Sequence, residues 1–248
     1  MRVLCQPVFC LVIATLVATV ASAAAPPKKH LAAKPRAAVS VAEALRTPTR
    51  LEFIETPLDD VIAYLKDFHR CQIHLDPRIA NAGRTIRVTA NLKDVSFQSA
   101  LKLIMSDLGL TPFVSAEYIL VTSPSEAPAL RRQGMQEPNL KSPEIEANNK
   151  KVAAALASPA KGDFVETPLT DVCDYLREVH KIPIFVQRTQ IKQGGIDLNT
   201  PITGQWKDMS LRSALELILR KPGLTFVARD EALVIMPAKG QRVRRPRG

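Results

Sequence analysis

Apolar positions along this chain fall into two blocks that read alike. In the first, Leu58, Val61, Ile62, Leu65 and Phe68 follow the i, i+3, i+4, i+7 spacing by which one helix face packs. The stripe returns at Leu169, Val172, Cys173, Leu176 and Val179. The residues around it repeat as well: Phe53 to His69, FIETPLDDVIAYLKDFH, comes back 111 residues later as Phe164 to His180, FVETPLTDVCDYLREVH. A short strand-like run precedes each stripe, Leu51 to Ile54 or Asp163 to Val165. Thr56 and Thr167 stand where a helix N-cap belongs, and Pro57 and Pro168 where the first helical residue tolerates a missing N–H. Asp59 and Asp60 in the first turn, with His69 and Arg70 in the last, complement the helix dipole.

The correspondence continues at a larger offset. Asp94, Ser96, Ala100, Leu101, Leu103, Ile104 and Gly109 recur 114 residues on as Asp208, Ser210, Ala214, Leu215, Leu217, Ile218 and Gly223. The change of offset places an insertion near Gly194 and Gly195. Matching Phe113 to Phe226 gives an offset of 113 there, with Pro112 extra in the first copy. Between the helices the pattern predicts a strand at Cys71 to Leu75, a turn at Asp76-Pro77 and a strand near Thr85 to Ala90. Ser96 caps a second helix whose stripe is Phe97, Ala100, Leu101, Ile104 and Leu108, and Gly109 ends it left-handed. Two short strands close the unit, Thr111 to Ser115 and Tyr118 to Thr122, around Ala116-Glu117; their second copies are Thr225 to Ala228 and Leu233 to Met236.

The predicted fold class is therefore α+β: two repeated β-α-β-β-α-β-β modules, at 51–124 and 162–237, each with two helices packed against small sheets. Residues 125–161 read as a linker, with a weakly helical patch at Glu144 to Leu156. Residues 24–50, rich in Pro, Ala and Lys, read as a flexible basic tether in which Val41 to Arg46 makes at most a helical turn. Residues 238–248 form a short basic tail.

Residues 1–23 have the features of a signal peptide: Arg2, the apolar run Val8 to Val20, and Ala21-Ser22-Ala23, with cleavage expected between Ala23 and Ala24. That address implies the periplasm or cell envelope. The alternative is an uncleaved N-terminal membrane anchor, since Val8 to Ala25 is barely long enough to span. Cys10 follows Val8 and Phe9 rather than the small residues that a lipid-modified cysteine needs.

The net charge of +10 invites a nucleic-acid reading, but its location argues otherwise. Residues 51–123 carry −2 and 162–238 carry −1, whereas 24–50 carry +5, 124–161 +2 and 239–248 +5. A groove-reading domain needs a basic folded face, and stacking platforms need aromatics, which make up only 5% of the chain. No specific nucleic-acid binding is expected. Weak contact of the tails with an anionic surface is compatible with the pattern.

A search for chemistry finds no constellation. Of His30, His69, His74 and His180, the repeated pair His69 and His180 is explained as helix-end cations. No His or Cys cluster has metal-ligand spacing. Asp59-Asp60 reads as dipole-complementing, Trp206 aligns with Leu92 and reads as packing, and Cys71 and Cys173 occupy non-equivalent positions as small buried hydrophobes. Catalytic, cofactor-binding and metal-binding residues are thus none, no cofactor is expected, and the chain reads as non-enzymatic. The binding surface is not identified, and Glu55 and Glu166 have no structural explanation from sequence.

The run ETPLxDVxxYL, an apolar strand and then SxxxAL…LGL, in the order β-α-β-β-α-β-β, resembles the STN or secretin N0-like domain. This is the short N-terminal domain shared by secretins and TonB-dependent receptors. The resemblance covers both modules. It implies periplasmic docking onto envelope proteins, a secretin or receptor barrel among them. No series of alternating strands of barrel type accompanies it, so pore formation and transport are not carried over. Tandem docking modules on a linker would gain avidity.

Overall fold

One helical turn, α1 (Val41–Ala44), opens the chain as described by the computed structural model, which covers residues 40–238. The signal peptide with Ala23 and Ala24, the tether up to residue 39 and the tail from 239 lie outside the described residues. The Ser40 hydroxyl caps α1, which buries Val41 and Ala44, so the end of the expected tether belongs to the core.

Strand β1 (Pro48–Pro57) follows, then α2 (Leu58–His69), β2 (Gln72–Leu75), α3 (Pro77–Gly83), β3 (Arg87–Ser96), α4 (Phe97–Asp107), β4 (Thr111–Val114) and β5 (Tyr118–Thr122). β1 and β3 form an antiparallel ribbon, with Leu51 opposite Leu92 and Phe53 opposite Ala90. β2, β5 and β4 form a second sheet in that order, β2 parallel and β4 antiparallel to β5. The helix α3 takes the place of the turn expected at Asp76-Pro77. Asp76 caps it and Pro77 starts it, but seven residues are too few to show a period.

The second half repeats the order with β6 (Pro159–Pro168), α7 (Leu169–His180), β7 (Ile184–Val186), α8 (Arg188–Gln193), β8 (Pro201–Ser210), α9 (Leu211–Arg220), β9 (Leu224–Arg229) and β10 (Ala232–Pro237). Its ribbon pairings match residue for residue, and its sheet pairings keep the same register. Gly162 lies opposite Trp206 where Leu51 lies opposite Leu92, and Leu233 lies opposite Ile184 where Ile119 lies opposite Ile73. The extra residues fall between α8 and β8, the loop that contains Gly194 and Gly195. The offset of 113 is corrected. Thr111 pairs with Thr122 as Thr225 pairs with Met236, so Pro112 corresponds to Phe226, Phe113 to Val227, and no residue is extra.

Both ribbons slip at the same two places. Ile54 and Glu55 stand against Thr89 alone, and Lys93 and Asp94 stand against Arg50 alone. The added residue at each bulge is left-handed: Glu55 at φ 47° and Asp94 at φ 59°, with Glu166 at 49° and Asp208 at 59° in the second half. The Glu55 N–H donates to Thr89 Oγ1 at 3.0 Å, and the Glu166 N–H to Thr203 Oγ1 at 3.0 Å. These two glutamates are therefore bulge residues that turn each strand toward its helix.

Helices α2 and α7 start one residue later than expected. Pro57 and Pro168 are the caps, at extended ψ, and Thr56 and Thr167 make no cap bond. Thr56 instead donates to the Ile54 carbonyl, and the Leu58 N–H finds the Ile86 carbonyl at 3.0 Å. Phe68 and Val179 are also corrected, being 52% and 51% exposed. At 100° per residue the stripe through Leu58 and Leu65 continues to residue 69, not 68. Ser96, Ser210, Gly109 and Gly223 occupy the cap positions expected of them.

Residues 125–161 are not an irregular spacer. They carry α5 (Ala127–Arg132) and the 15-residue α6 (Pro143–Ala157), whose Val152 and Leu156 lie in the second core as Val41 and Leu45 lie in the first.

The bulges yield a test. Glu55→Gly should hold stability to within about 1 kcal/mol, while Glu55→Val, branched at a left-handed position, should lower it by about 2 kcal/mol in urea unfolding. The same pattern is expected at Glu166.

Candidate functional site at the seam and exposed faces

Burial decides the chemistry of the residues singled out by sequence. His69 is 5% exposed, stacked 3.8 Å over Phe97. Thr47 spends its hydroxyl proton on the Ala44 carbonyl, so it accepts from His69 Nδ1–H at 2.8 Å; Thr49 then donates to Nε2 at 3.1 Å. Burial holds this imidazole neutral, its pKa lowered from 6.5 to about 4. The helix-end cation is therefore corrected to a neutral, fully bonded core group. Ser158 and His180 repeat the Nδ1 contact at 3.1 Å, but Ala160 replaces Thr49 and Leu211 replaces Phe97; burial again lowers the His180 pKa.

Cys71 and Cys173 are free and buried, and burial raises their thiols to about 11 and about 12. Both are poor nucleophiles at neutral pH. Asp59 and Asp60 lie in the first turn of α2, Asp59 within 3.8 Å of Arg84. Trp206 is packed in the second core against Phe164. Among the described residues no group of three His, Cys, Asp or Glu side chains is placed to hold a metal ion.

What the fold does bring together is a seam between the halves, built mostly from residues with no apolar signal in the sequence. Phe185, Ala232 and Val234 of the second half enter the first core. Beside them Glu231, in the β9–β10 turn, reaches the start of α4 and is 1% exposed. Its carboxylate accepts from the Ser96 N–H at 3.2 Å, the Ser99 hydroxyl at 2.7 Å, Asn148 Nδ2 at 2.7 Å and the Ser96 hydroxyl. A carboxylate at a helix N-terminus is also favoured by the dipole. At the other end of α4, Asp107 accepts from the N–H groups of Thr189 at 3.0 Å and Gln190 at 3.4 Å, at the start of α8. Burial raises the Asp107 pKa, with these bonds and Arg188 pulling the other way. Lys102 pairs with Asp230 between the two.

Two further features face solvent. A cleft of about 410 Å³ opens along the seam, lined by Lys93, Asp94, Lys151, Arg177, Lys181 and Glu231 among others. Its mixed charges are partly committed: Arg177 pairs with Asp174 and donates to the Ile184 carbonyl at 2.7 Å. Apolar side chains are also exposed, and at matching positions in the two halves: Ile54 and Val165 at 74% and 73%, Tyr64 and Tyr175, Phe68 and Val179. Sequence reading missed these because the helical stripe counted Phe68 and Val179 as buried. The repeat of an exposed position was the available signal.

Compared with known proteins, the chain matches no family model, no curated protein and no solved structure. No helix among the described residues is long and apolar enough to cross a membrane.

Glu231→Ala strands the Ser96 N–H and the Ser99 and Asn148 donors in a buried place, so urea unfolding should show a loss of about 3 kcal/mol. The neutral His69 gives a pH dependence. The unfolded chain protonates it near 6.5 while the folded one resists until about 4, so its contribution is present above 6.5 and is lost as pH falls through that window. The loss is at most about 3 kcal/mol. His69→Gln should flatten the stability profile between those pH values.

Proposed function

We propose that this chain is an exported, non-enzymatic docking protein of the bacterial cell envelope, acting in the periplasm through two STN-like, secretin N0-like units. The observation that supports this most is the recurrence of exposed apolar side chains at equivalent positions, Ile54, Tyr64 and Phe68 in one half and Val165, Tyr175 and Val179 in the other. Tyr64 and Phe68 stack on one another at 5.6 Å, and clustered exposed apolar groups mark surfaces that another protein covers. The partner class this favours is another envelope protein, a secretin or receptor barrel among the candidates. The mechanism differs from two modules on a flexible tether, because the seam holds the halves together. Any avidity comes from two faces at fixed spacing rather than from effective concentration along a linker.

A photo-crosslinking residue placed at 68 or 179 in the exported protein tests the reading. The same envelope protein should be captured from both positions and not from the exposed polar position 150. Phe68→Glu with Val179→Glu should lower its capture about tenfold or more. No adduct above the position-150 control would end the proposal. The second reading, an envelope protein that binds polyanions or membrane surfaces through its tails, draws on the +5 charge of residues 239–248. It expects binding to anionic vesicles that weakens steeply with salt and with deletion of those residues.

A further inference from the structure

The register that relates the two halves also identifies which surfaces of each are mated at the seam and which are not. Strands β5 and β10 correspond at 114 residues, so Glu117 is the counterpart of Glu231, and helices α4 and α9 correspond so that Leu217 is the counterpart of Leu103. Leu103 is fully buried, whereas Leu217 is 60% exposed. Glu231 is buried at the α4 N-terminus, whereas Glu117 faces solvent. The α9 start keeps the geometry that receives Glu231 on α4. Ser210 Oγ accepts from the Ser213 N–H at 3.2 Å and lies 3.0 Å from the Ser213 hydroxyl, as Ser96 and Ser99 are arranged on α4.

The opposing face is also present in the first half. Phe185, Ala232 and Val234, which enter the first core, have as counterparts His74, Tyr118 and Leu120, none of them fully buried. The chain that follows β5 pairs Gln136 with Val114 at the β4 edge, and β2 lies on the other side of β5.

The changed positions act differently at the two ends of α9. At its far end Arg220 and Lys221 replace Ser106 and Asp107, so the Asp107 bonds to the start of α8 have no equivalent there. Glu216 replaces Lys102, and the residue it would meet is Ala116, which replaces Asp230.

We propose that the chain self-associates head to tail, the Ser115–Tyr118 turn and β2–β5 face of one copy seating on the α9 face around Ser213 and Leu217 of the next. It is the seam repeated between molecules, lacking its Lys102–Asp230 ion pair, the Asn148 contact and the Asp107 anchor, whose place Lys221 takes, and hence weaker and reversible. Each copy presents one of each surface, so association continues beyond the dimer unless the chain of copies closes. Self-association of this kind needs no envelope partner.

Sedimentation velocity on the mature full-length chain over about 1 to 500 µM, a range chosen for weak association, should show growth past the dimer with concentration. Leu217→Asp and Glu117→Lys, both at exposed sites, should each weaken association about tenfold or more with unchanged thermal unfolding. Mixing the two variants is the decisive arm. The first keeps its turn and the second keeps its helix face, so the mixture should form dimers and nothing larger. Monomer at every concentration overturns the proposal. So does association that either substitution leaves unchanged, a mixture that stays monomeric, or association that disappears only when residues 239–248 are deleted.

Discussion

Glu231 is almost wholly buried, and a carboxylate can stay there only if its lone pairs meet donors. The donors come from two separate parts of the chain, Ser96 and Ser99 at the start of α4 and Asn148 from α6, and the dipole of α4 adds to them. Meeting that demand sets the β9–β10 turn on the α4 N-terminus, and with it the distance at which Phe185, Ala232 and Val234 reach the first core. Asp107 repeats the device in the opposite sense at the far end of α4, its acceptor facing the N–H groups that open α8. Two helix starts, each met by an acid from the other half, leave little freedom to rotate one half on the other. The apolar contact alone would supply burial without direction.

The central segment takes its shape from the same demand. Only Ile145, Val152 and Leu156 of α6 are buried, a spacing too sparse to read as a packed helix. The rest of its inner side is polar because it serves the seam. Asn148 donates to the Glu231 carboxylate, and Asn149 accepts from the Glu231 N–H at 2.9 Å. A helix that packs through amides looks, in a hydrophobicity pattern, like a spacer. The α6 end then serves the second half as α1 serves the first, which ties the segment to both.

Signals that act within a few residues were legible: the serine caps, Gly109 in its left-handed turn, the closing hairpins and the position of the insertion. Signals that depend on a partner strand or an outer shell were not. Thr56 has the chemistry of a cap, but the bulge at Glu55 leaves its hydroxyl aimed at the Ile54 carbonyl. Glu55 and Glu166 looked like unused acids because the feature that matters is their backbone, which only the ladder exposes. His69 looked like a surface cation because nothing near it in sequence announces Thr47, Thr49 and Phe97 closing over the ring. Identity matching paired Phe113 with Phe226, whereas hydrogen-bond register pairs Phe113 with Val227; when the two disagree, backbone geometry is the stricter guide.

Two halves with one grammar of contact face a risk, since the second-half turn could in principle seat on the α9 of another copy as readily as on its own α4. Charge at one position separates the two. Asp230 finds Lys102 on α4, but on α9 it would meet Glu216, and like charges brought together at a partly buried contact cost more than an exposed pair would gain. The first-half turn carries Ala116 at that place and incurs no such penalty. The substitutions Lys102 to Glu216 and Asp230 to Ala116 between halves therefore act together: one turn is directed inward onto α4, and the other meets no helix start among the described residues.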